Sequence, residues 1–430
     1  MEGPKTSRKK ESLHIAIIGL GYVGLPLAVE FGKKFQTTGY DISSSRIKEL
    51  KEGEDSTLEV SKKNLHQPNL RYTDKPDELK ECNIFIITVP TPIDEDKNPD
   101  LTYLISASKL VGKCLNQDDI VIYESTVFPG ATEEICVPLL EEESKLTFNQ
   151  GFFCGYSPER INPGDGSHKL PDIVKVTSGS NKTTAIFIDQ LYGNIIKAGT
   201  YMAESIKIAE AAKIIENTQR DVNIALVNEL TMLFNALNID TQKVLSAAKT
   251  KWNFLDFYPG LVGGHCIGVD PYYLTHKAEQ EGYIPEMILS GRKINDGMAF
   301  YVSNNILELL EKEKINTNKA NLLLLGFSFK ENCPDYRNTK VLDLKNELSK
   351  NLKVVDIYDP WIDKHKVLKE LRIDLIEKPK KNFYDVIVVA VGHKIFKEMS
   401  TNGFSEYAKE KYVLYNIQNS FPILNVTGRL

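Results

Sequence analysis

The sequence predicts an α/β fold with two doubly wound domains, a long central helix and a helical middle domain between them. Short β-branched runs, typical of buried parallel strands, alternate with helical patterns near both ends of the chain. Between those ends, residues 200–258 contain neither glycine nor proline, which favours helix. We therefore predict an α/β domain at 13–200, a helical domain at 201–312 and a second α/β domain at 313–430.

Composition restricts the classes of function. The 430 residues carry a formal net charge of −5, whereas a nucleic-acid binder would be expected to have a basic excess. No apolar stretch approaches the roughly 20 residues that span a bilayer, so no membrane segment is expected. Residues 1–12 hold four basic residues without a following signal-peptide core, which predicts a disordered arm and a cytoplasmic protein. The cysteines lack a CxxC motif, which predicts reduced thiols and no metal site: Cys82, Cys114, Cys136, Cys154, Cys266 and Cys333.

The first strand run, Leu13–Ile18, leads directly into the glycine turn Gly19–Gly24, with sequence GLGYVG. A helical pattern follows, and the next strand ends at Asp41. This context makes GxGxxG a dinucleotide-binding motif, since its backbone N–H groups can approach a pyrophosphate. Asp41 would accept hydrogen bonds from a ribose and so favours NAD, whereas nearby Arg46 could serve the 2′-phosphate of NADP. The alternative is a glycine-rich turn that binds no ligand.

Two later strand runs end just before Thr91 and Thr126, and a polar turn at 155–164 carries Glu159 and Arg160. In an open α/β sheet the ligand lies beyond the carboxyl ends of the strands, where these side chains fall. Single Ser or Thr residues at strand ends are more often helix caps, and charged turn residues are usually solvated. The prolines and glycines that constrain the polar turn favour a binding site.

One long helix is predicted from Ala203 to Asn238. A helix of that length bridges two domains or forms a subunit interface. Lys213, Asn217 and Arg220 are spaced i, i+4, i+7 and therefore share one face. That face is either a solvated polar stripe or part of a site.

The segment Tyr258–Tyr273 presents a thiol on a bent backbone. Three glycines surround Cys266, and Pro259 and Pro271 delimit the segment. Asp270 follows four residues later and is within plausible reach of the same site. The alternative is a surface turn that holds an incidental small hydrophobic residue.

The last domain begins with a strand near residue 321, followed by strand runs near 354 and 385. The turn after its first strand lacks GxGxxG but offers Lys330 and Arg337, both suited to phosphate. The pattern predicts a second nucleotide-binding unit.

Six motifs in this order resemble the UDP-glucose/GDP-mannose dehydrogenase superfamily: GLGYVG, PTP, SPERINPGD, EAAKIIENTQR, GGHCIGVDPYYL and GFSFKENCPDYRNT. The similarity covers nearly the whole chain and is closest to the branch that oxidises UDP-N-acetylhexosamines at C6. It implies two Rossmann-like domains, with NAD at the first and the UDP-sugar largely at the last. It also implies a homodimer or higher homo-oligomer formed through the central helix, and a role in making surface-polysaccharide precursors.

The resemblance further implies a four-electron oxidation of a primary alcohol to a carboxylate. Cys266 would trap the aldehyde as a thiohemiacetal and become a thioester after the second oxidation. Lys213 would act as acid/base or oxyanion stabiliser, and Asn217 as a further donor to that oxygen. Three side chains are candidates to position or activate water: Asp270, Glu159 and Thr126.

Binding residues carry over in the same way. Expected cofactor contacts are Gly19, Gly21, Tyr22, Val23, Gly24, Asp41, Arg46, Thr91, Thr126 and Arg337. Expected substrate contacts are Arg160, Ile161, Lys213, Asn217, Arg220, Tyr258, Gly263, Phe329 and Lys330. Gly263 and Gly264 would let the sugar C6 approach the Cys266 sulfur.

The preferred sugar is left open between UDP-GlcNAc and UDP-GalNAc, with UDP-GlcNAc favoured. Arg160 replaces an apolar residue of glucose-specific relatives, which favours an N-acetylated sugar, whereas Tyr258 replaces a residue that is often basic in this branch. UDP-glucose and UDP-ManNAc dehydrogenases are alternatives. Two other hypotheses about the function are a two-electron 3-hydroxyacid dehydrogenase, which needs no thiol, and a non-catalytic NAD-responsive scaffold.

Overall fold

The computed structural model describes residues 13–161, 169–399, 401–417 and 426–430. The predicted N-terminal arm and residues 162–164 of the polar turn lie outside them. The chain divides into two compact units. The first runs up to Glu216 and includes Tyr272–Tyr283, and the second comprises Asn217–Pro271 and Ile284–Leu430. The predicted domain limits at 13–200, 201–312 and 313–430 remain predictions.

A parallel sheet forms the centre of the first unit. Its described strands are β1 (His14–Ile18), β2 (Gln36–Tyr40), β3 (Leu70–Thr73), β4 (Ile84–Ile87), β5 (Asp119–Tyr123) and β6 (Phe152–Tyr156). Their spatial order is β3-β2-β1-β4-β5-β6. The order reverses between β1 and β4, which is where a doubly wound sheet opens a crevice at its carboxyl edge.

Helices cover the sheet because its strands are apolar on both faces; Ile15 and Ile17 on one face, and Ala16 and Phe85 on the other, are fully buried. The helices of this unit that precede the long central one are α1 (Gly24–Gly32), α2 (Ser44–Lys51), α3 (Lys62–Leu65), α4 (Thr102–Gly112), α5 (Val137–Ser144) and α6 (Lys182–Gly193). A small parallel pair, β7 (Lys175–Thr177) and β8 (Thr200–Met202), follows the sheet along the chain.

The middle of the chain is helical, as predicted. Its helices are α7 (Ile206–Ala236), α8 (Thr241–Ala248), α9 (Asp270–Gln280) and α10 (Glu286–Lys312). The predicted long helix is confirmed as α7, with both ends slightly shorter. It begins later because the Ser205 hydroxyl caps the N–H of Ile208 at 3.2 Å. It ends earlier because Asn238 is left-handed, with φ +56°. Across the described ranges no helix is long and apolar enough to cross a membrane.

The second unit contains another parallel sheet. The strands found within the described residues are β9 (Asn321–Leu325), β10 (Val354–Tyr358), β11 (Tyr384–Val389), β12 (Ala408–Asn416) and β13 (Gly428–Arg429), in the order β10-β9-β11-β12-β13. Its helices are α11 (Lys340–Leu348), α12 (Lys364–Leu371), α13 (Lys394–Glu398) and α14 (Thr401–Ser405). Its core includes Leu322, Val386 and, from α10, Ile306. The predicted fold class, with two Rossmann-like α/β domains and a helical middle, is confirmed.

Candidate active site

The glycine turn between β1 and α1 gives each of its three glycines a different role. Gly19 has φ +95°, a conformation that L side chains rarely adopt. A Cβ on Gly24 would lie 1.9 Å from the Gly19 carbonyl oxygen, so α1 begins too close for any side chain. A Cβ on Gly21 would meet no heavy atom of the described chain within 4 Å, apart from its neighbours in sequence. The turn therefore leaves open space at Gly21, as close approach of a pyrophosphate requires.

Asp41 and Arg46 lie beside this turn. Asp41 Oδ2 accepts the N–H of Leu20 at 2.9 Å, so the carboxylate is fixed at the end of β2. Arg46 donates to the Leu20 carbonyl at 3.0 Å and pairs with Glu49 at 2.8 Å and Asp55 at 2.7 Å. Two carboxylates thus compensate the guanidinium charge, which favours NAD over a cofactor with a 2′-phosphate. The remaining predicted cofactor contacts of this unit are half-buried: Tyr22, Val23, Thr91 and Thr126.

Glu159 follows β6 and is 7% exposed. Its Oε1 accepts the N–H of Arg160 at 2.6 Å and the N–H of Ile161, which is itself half-buried. Its Oε2 is buried and has no hydrogen-bond partner among the described residues. Buried carboxylate oxygens are normally satisfied, so this atom is suited to hold a water molecule or a ligand hydroxyl.

The Arg160 guanidinium contacts α7. Its Nη2 lies 2.9 Å from Glu216 Oε1, and Nη1 donates to the Val174 carbonyl at 2.8 Å. Glu216 was not predicted as a site residue, although it directly precedes Asn217 in the EAAKIIENTQR motif. The arginine predicted to bind substrate is therefore oriented by a carboxylate of its own unit.

Glu210, also on α7, holds the segment after Thr126. Its carboxylate accepts the N–H of Gly130 at 2.5 Å and that of Thr132 at 3.0 Å. Burial raises the pKa of Glu210 to about 7, and the N–H donors oppose that rise. Sequence reasoning also missed this residue; its signal was a carboxylate three positions before Lys213.

Cys266 lies one turn before α9 in the second unit. Its carbonyl accepts the N–H of Val269 at 3.0 Å and that of Asp270 at 2.8 Å. The Cys266 residue is partly exposed, whereas the other five cysteines are buried. A helix N-terminus favours negative charge, and therefore favours a thiolate at this position.

The predicted polar stripe on α7 passes from buried to exposed. Lys213 is 7% exposed, Asn217 is half-buried and Arg220 is exposed. Asn217 donates from Nδ2 to Asp270 Oδ2 at 2.6 Å. Two of the predicted catalytic residues are therefore in direct contact.

In the Cys266 turn, Gly263 and Gly264 lie so close to other residues of the chain that a side chain at either position would clash. Gly264 has φ +87°, and a Cβ there would lie 2.7 Å from the Phe329 ring. A Cβ on Gly263 would lie 2.8 Å from the Asn338 carbonyl oxygen. These contacts, within the second unit, give a physical reason for the two glycines that differs from the expected approach of a sugar. The Phe329 ring also meets His265 edge to face, with centroids 5.5 Å apart.

The predicted phosphate-binding residues occupy the same turn as Phe329. Lys330 is half-buried, and Arg337 is exposed with its Nε 3.0 Å from each Asp335 carboxylate oxygen. Arg337 Nη2 lies 3.5 Å from His265 Nδ1, so this turn and the Cys266 turn are neighbours.

Tyr258 is 42% exposed and belongs to a small charged cluster. The Lys249 amine lies 4.0 Å from its ring centroid and bonds its hydroxyl, which donates to Asp256 at 3.2 Å. A basic group therefore lies against Tyr258. Over the described ranges no group of three or more His, Cys, Asp or Glu side chains is arranged to hold a metal ion.

The first unit carries the dinucleotide-binding glycine turn on its parallel sheet. In the second unit, the Cys266 turn packs against the turn that follows β9 of another parallel sheet. These features suit a dehydrogenase whose substrate itself carries a nucleotide. The comparison with known families agrees with this class. The chain belongs to the UDP-glucose/GDP-mannose dehydrogenase family, matching its NAD binding domain at residues 13–196, its central domain at 207–297 and its UDP binding domain at 323–421.

The similarity to known proteins extends over almost the full chain. The chain is 57% identical over 413 residues to a UDP-N-acetyl-D-glucosamine 6-dehydrogenase of Salmonella typhi, covering 96% of this chain and 97% of that protein. It is 56% identical over 409 residues to a protein of the same name from Pseudomonas aeruginosa, covering 95% and 97%. A solved UDP-D-ManNAc dehydrogenase from Pyrococcus horikoshii superposes with a TM-score of 0.87 at 31% identity, covering 97% and 98% of the two chains.

These matches confirm three predictions: the family, the activity of an NAD-dependent dehydrogenase, and NAD as the cofactor. The non-catalytic scaffold and the 3-hydroxyacid dehydrogenase gain no support from them. The roles of individual residues remain predictions, which the geometry above now makes specific.

Proposed function

We propose that this chain oxidises C6 of UDP-N-acetylglucosamine to the carboxylate in two steps. The observation that carries the proposal is the partly exposed Cys266, whose carbonyl accepts the N–H of Asp270, the carboxylate that holds the Asn217 amide. A dehydrogenase that stops at the aldehyde has no use for a thiol, whereas one that continues to the acid can hold the aldehyde on a thiol for the second oxidation. The two relatives at 56–57% identity bear the name of this activity.

The reaction balances as alcohol, water and two NAD⁺ giving carboxylate, two NADH and three protons. Bound NAD⁺ supplies the hydride acceptor for each of the two oxidations. The Cys266 thiolate adds to the C6 aldehyde, forming the C–S bond of a thiohemiacetal, and the second oxidation makes a thioester. Water then breaks the C–S bond, which releases the carboxylate and returns the thiol.

Lys213 and Asn217 are the proposed partners of the C6 oxygen. They stand one turn apart on α7 and share a face. The Lys213 amine would take up the hydroxyl proton, the resulting ammonium would stabilise the oxyanion or return the proton, and the Asn217 amide would donate to the same oxygen. Asp270 fixes the orientation of that amide.

Glu159 is the proposed contact for the hydrolytic water, with Thr126 as a further positioning group. The support is Glu159 Oε2, which is buried and has no partner among the described residues. A carboxylate oxygen held this way can accept a proton from water as it attacks the thioester.

The proposed NAD contacts are those of the glycine turn, Asp41 and Arg46, together with Thr91 and Arg337. The UDP-sugar contacts would come from Phe329, Lys330, Gly263, Arg220, Arg160 and Ile161. Tyr258, with Lys249 against its ring, is the proposed determinant of sugar choice. UDP-GalNAc, which differs only at C4, is the second candidate sugar.

Stoichiometry tests the proposal. Purified enzyme with limiting UDP-GlcNAc should form two NADH per sugar, and the product should be the uronate by mass spectrometry. A ratio of one with aldehyde as product would contradict the role of Cys266. The Cys266→Ser variant should lose the second oxidation. The preferred sugar is identified by comparing kcat/KM for UDP-GlcNAc, UDP-GalNAc, UDP-ManNAc and UDP-glucose.

We also propose that the enzyme is a homodimer, or a higher oligomer built from dimers. Ile208, Ile215, Leu226 and Leu233 are each about half exposed, at 48%, 55%, 54% and 50%. Their spacings of 7, 11 and 7 residues place them on one stripe of α7. Leu226→Glu should convert the oligomer to monomer in light scattering; an unchanged mass would argue against this interface.

The proposed setting is the cytoplasm, because the reaction needs both NAD⁺ and a nucleotide sugar. The product would serve as a precursor of surface polysaccharides. Cell fractionation would test the setting, and deleting the gene in its source organism should deplete both the UDP-sugar acid pool and the surface polysaccharide.

A further inference from the structure

A buried lysine lies beneath the turn that carries Glu159. Lys175 on β7 is 2% exposed. Its amine donates to the carbonyl of Pro158 at 2.8 Å, is 3.3 Å from that of Ser157, and contacts Glu124 Oε2 at 2.6 Å. The ammonium therefore fastens the two peptide groups that immediately precede Glu159.

Glu124 completes the arrangement from the end of β5. Its side chain is fully buried, and its second oxygen accepts the Tyr192 hydroxyl from α6. Burial raises the pKa of the Glu124 carboxyl, and the Lys175 ammonium opposes that rise. Lys175 is thus balanced within the core by one carboxylate.

Stability alone does not explain this pair. Replacing a buried ion pair with apolar side chains of similar volume is often neutral or stabilising. An apolar side chain at 175, however, has no donor for the carbonyls of Ser157 and Pro158. The turn is held on its other side by the Ser157 hydroxyl, which donates to the Val176 carbonyl at 2.7 Å. The ammonium therefore contributes a restraint that packing cannot replace.

We propose that Lys175 and Glu124 are positioning residues for the chemistry, because they fix the main chain from which the Glu159 carboxylate projects. The inference rests on the proposed function, in which Glu159 assists thioester hydrolysis. Glu159 and Arg160 directly follow Pro158, whose carbonyl Lys175 holds, so a shift of the main chain at Pro158 moves both side chains. Neither Lys175 nor Glu124 needs to contact substrate for this effect.

The decisive variants are Lys175→Met and the double variant Lys175→Met/Glu124→Gln. The single change leaves Glu124 without its cation and should lower Tm, whereas the double change removes both charges and should recover much of that loss. Both should lower kcat by about 10-fold or more, as a misplaced proton-transfer group does. The Kd for NAD should be unchanged, because the glycine turn is not altered.

Tyr192→Phe is the matched control. It removes a hydrogen bond from the same buried carboxylate but leaves the anchored carbonyls in place. We expect a lower Tm with kcat close to wild type. Lys175→Arg, which keeps the charge and the donors, should retain more activity than Lys175→Met.

Intact-protein mass spectrometry during turnover supplies a readout that a purely structural role would not move. Slow hydrolysis should make Lys175→Met accumulate a covalent sugar adduct on Cys266, as Glu159→Gln should. The inference is overturned if the double variant has wild-type kcat, or if kcat follows Tm across the whole set, Tyr192→Phe included. If Lys175→Met does not fold, the double variant decides. A wild-type enzyme that reduces no NAD⁺ with any UDP-sugar would instead contradict the proposed function.

Discussion

Asn217 donates a hydrogen bond from Nδ2 to Oδ2 of Asp270 across 2.6 Å, and Asp270 is only 1% exposed. Hydrogen bonds to an ionised acceptor are roughly twice as strong as neutral ones. The contact joins α7 to the first residue of α9, directly after the turn that carries Cys266. It therefore fixes both the amide of Asn217 and the end of the thiol turn.

Asn217→Asp should make activity depend on pH in a new way. Two carboxylates at hydrogen-bond distance cannot both ionise easily, so the pKa of one of them rises. Below that raised pKa a shared proton preserves the contact, and above it repulsion opens the contact. We expect kcat/KM of the variant, relative to wild type, to decline as pH rises.

Two further variants separate charge from contact. Asn217→Ala loses the hydrogen bond without adding charge, so its activity should be low at every pH. The exchange Asn217→Asp/Asp270→Asn restores one carboxylate and one amide, and should restore the shape of the wild-type pH profile at a lower kcat, because position 217 no longer donates to the C6 oxygen. If all three variants share one pH profile, the repulsion argument is wrong.

Gly264→Ala should impair the thiol turn, because Gly264 has φ +87° and its Cβ would lie 2.7 Å from the Phe329 ring. A side chain in this backbone region costs about 1–3 kcal/mol. Gly260→Ala is the control, since a Cβ there meets no heavy atom of the described chain within 4 Å beyond its sequence neighbours. Urea unfolding and kcat should both change for Gly264→Ala and stay near wild type for Gly260→Ala.

Gly21→Ala and Gly24→Ala should separate cofactor binding from stability. The Gly21 Cβ enters the space assigned to the pyrophosphate, so we expect the Kd for NAD to rise about 10-fold or more, or about 1.4 kcal/mol, with Tm unchanged. The Gly24 Cβ would lie 1.9 Å from the Gly19 carbonyl oxygen, so Tm should fall sharply. Calorimetric titration and thermal melts test this; a lower Tm for Gly21→Ala with unchanged Kd contradicts it.

The sequence predicted the elements whose local pattern is strong. The apolar runs of β1, β4, β5, β9, β10 and β11 were recognised, and so was the glycine turn after β1. Strands β3 and β13 were not predicted, because they are only 4 and 2 residues long and include the charged residues Arg71 and Arg429. Strand β12 was not predicted either; its first residues, Ala408–Lys411, are mostly charged.

Prediction of the site residues also depended on how local their sequence pattern is. Cys266 and the glycine turns were identified because their backbone requirements are local. The partners that orient the site were not, because they come from distant parts of the chain: Glu210 and Gly130 are 80 residues apart, and Lys175 and Glu124 are 51 apart. A charged residue inside the apolar run Ile173–Thr177 was the available signal for Lys175. A charged residue in an apolar run predicts that it has a buried partner, but it does not identify that partner.

Glu210 should leave a signature in the pH dependence of stability. Burial raises its folded-state pKa to about 7 from an ordinary value of 4.5. Between these values the folded protein binds more protons than the unfolded chain, so this carboxyl's contribution is complete below pH 4.5 and is lost as pH rises through about 7. At 1.36 kcal/mol per pKa unit the change is about 3 kcal/mol.

Glu210→Gln cannot titrate and should lack this dependence. The free energy of unfolding, measured in urea from pH 4.5 to 8, should therefore fall more steeply for wild type than for the variant. Glu134, on the same segment, is the control: hydrogen bonding to Lys277 lowers its pKa, so its smaller contribution should be lost on acidification instead. A wild-type-minus-variant difference that does not change with pH would mean that Glu210 stays ionised throughout, and that its two N–H donors outweigh its burial.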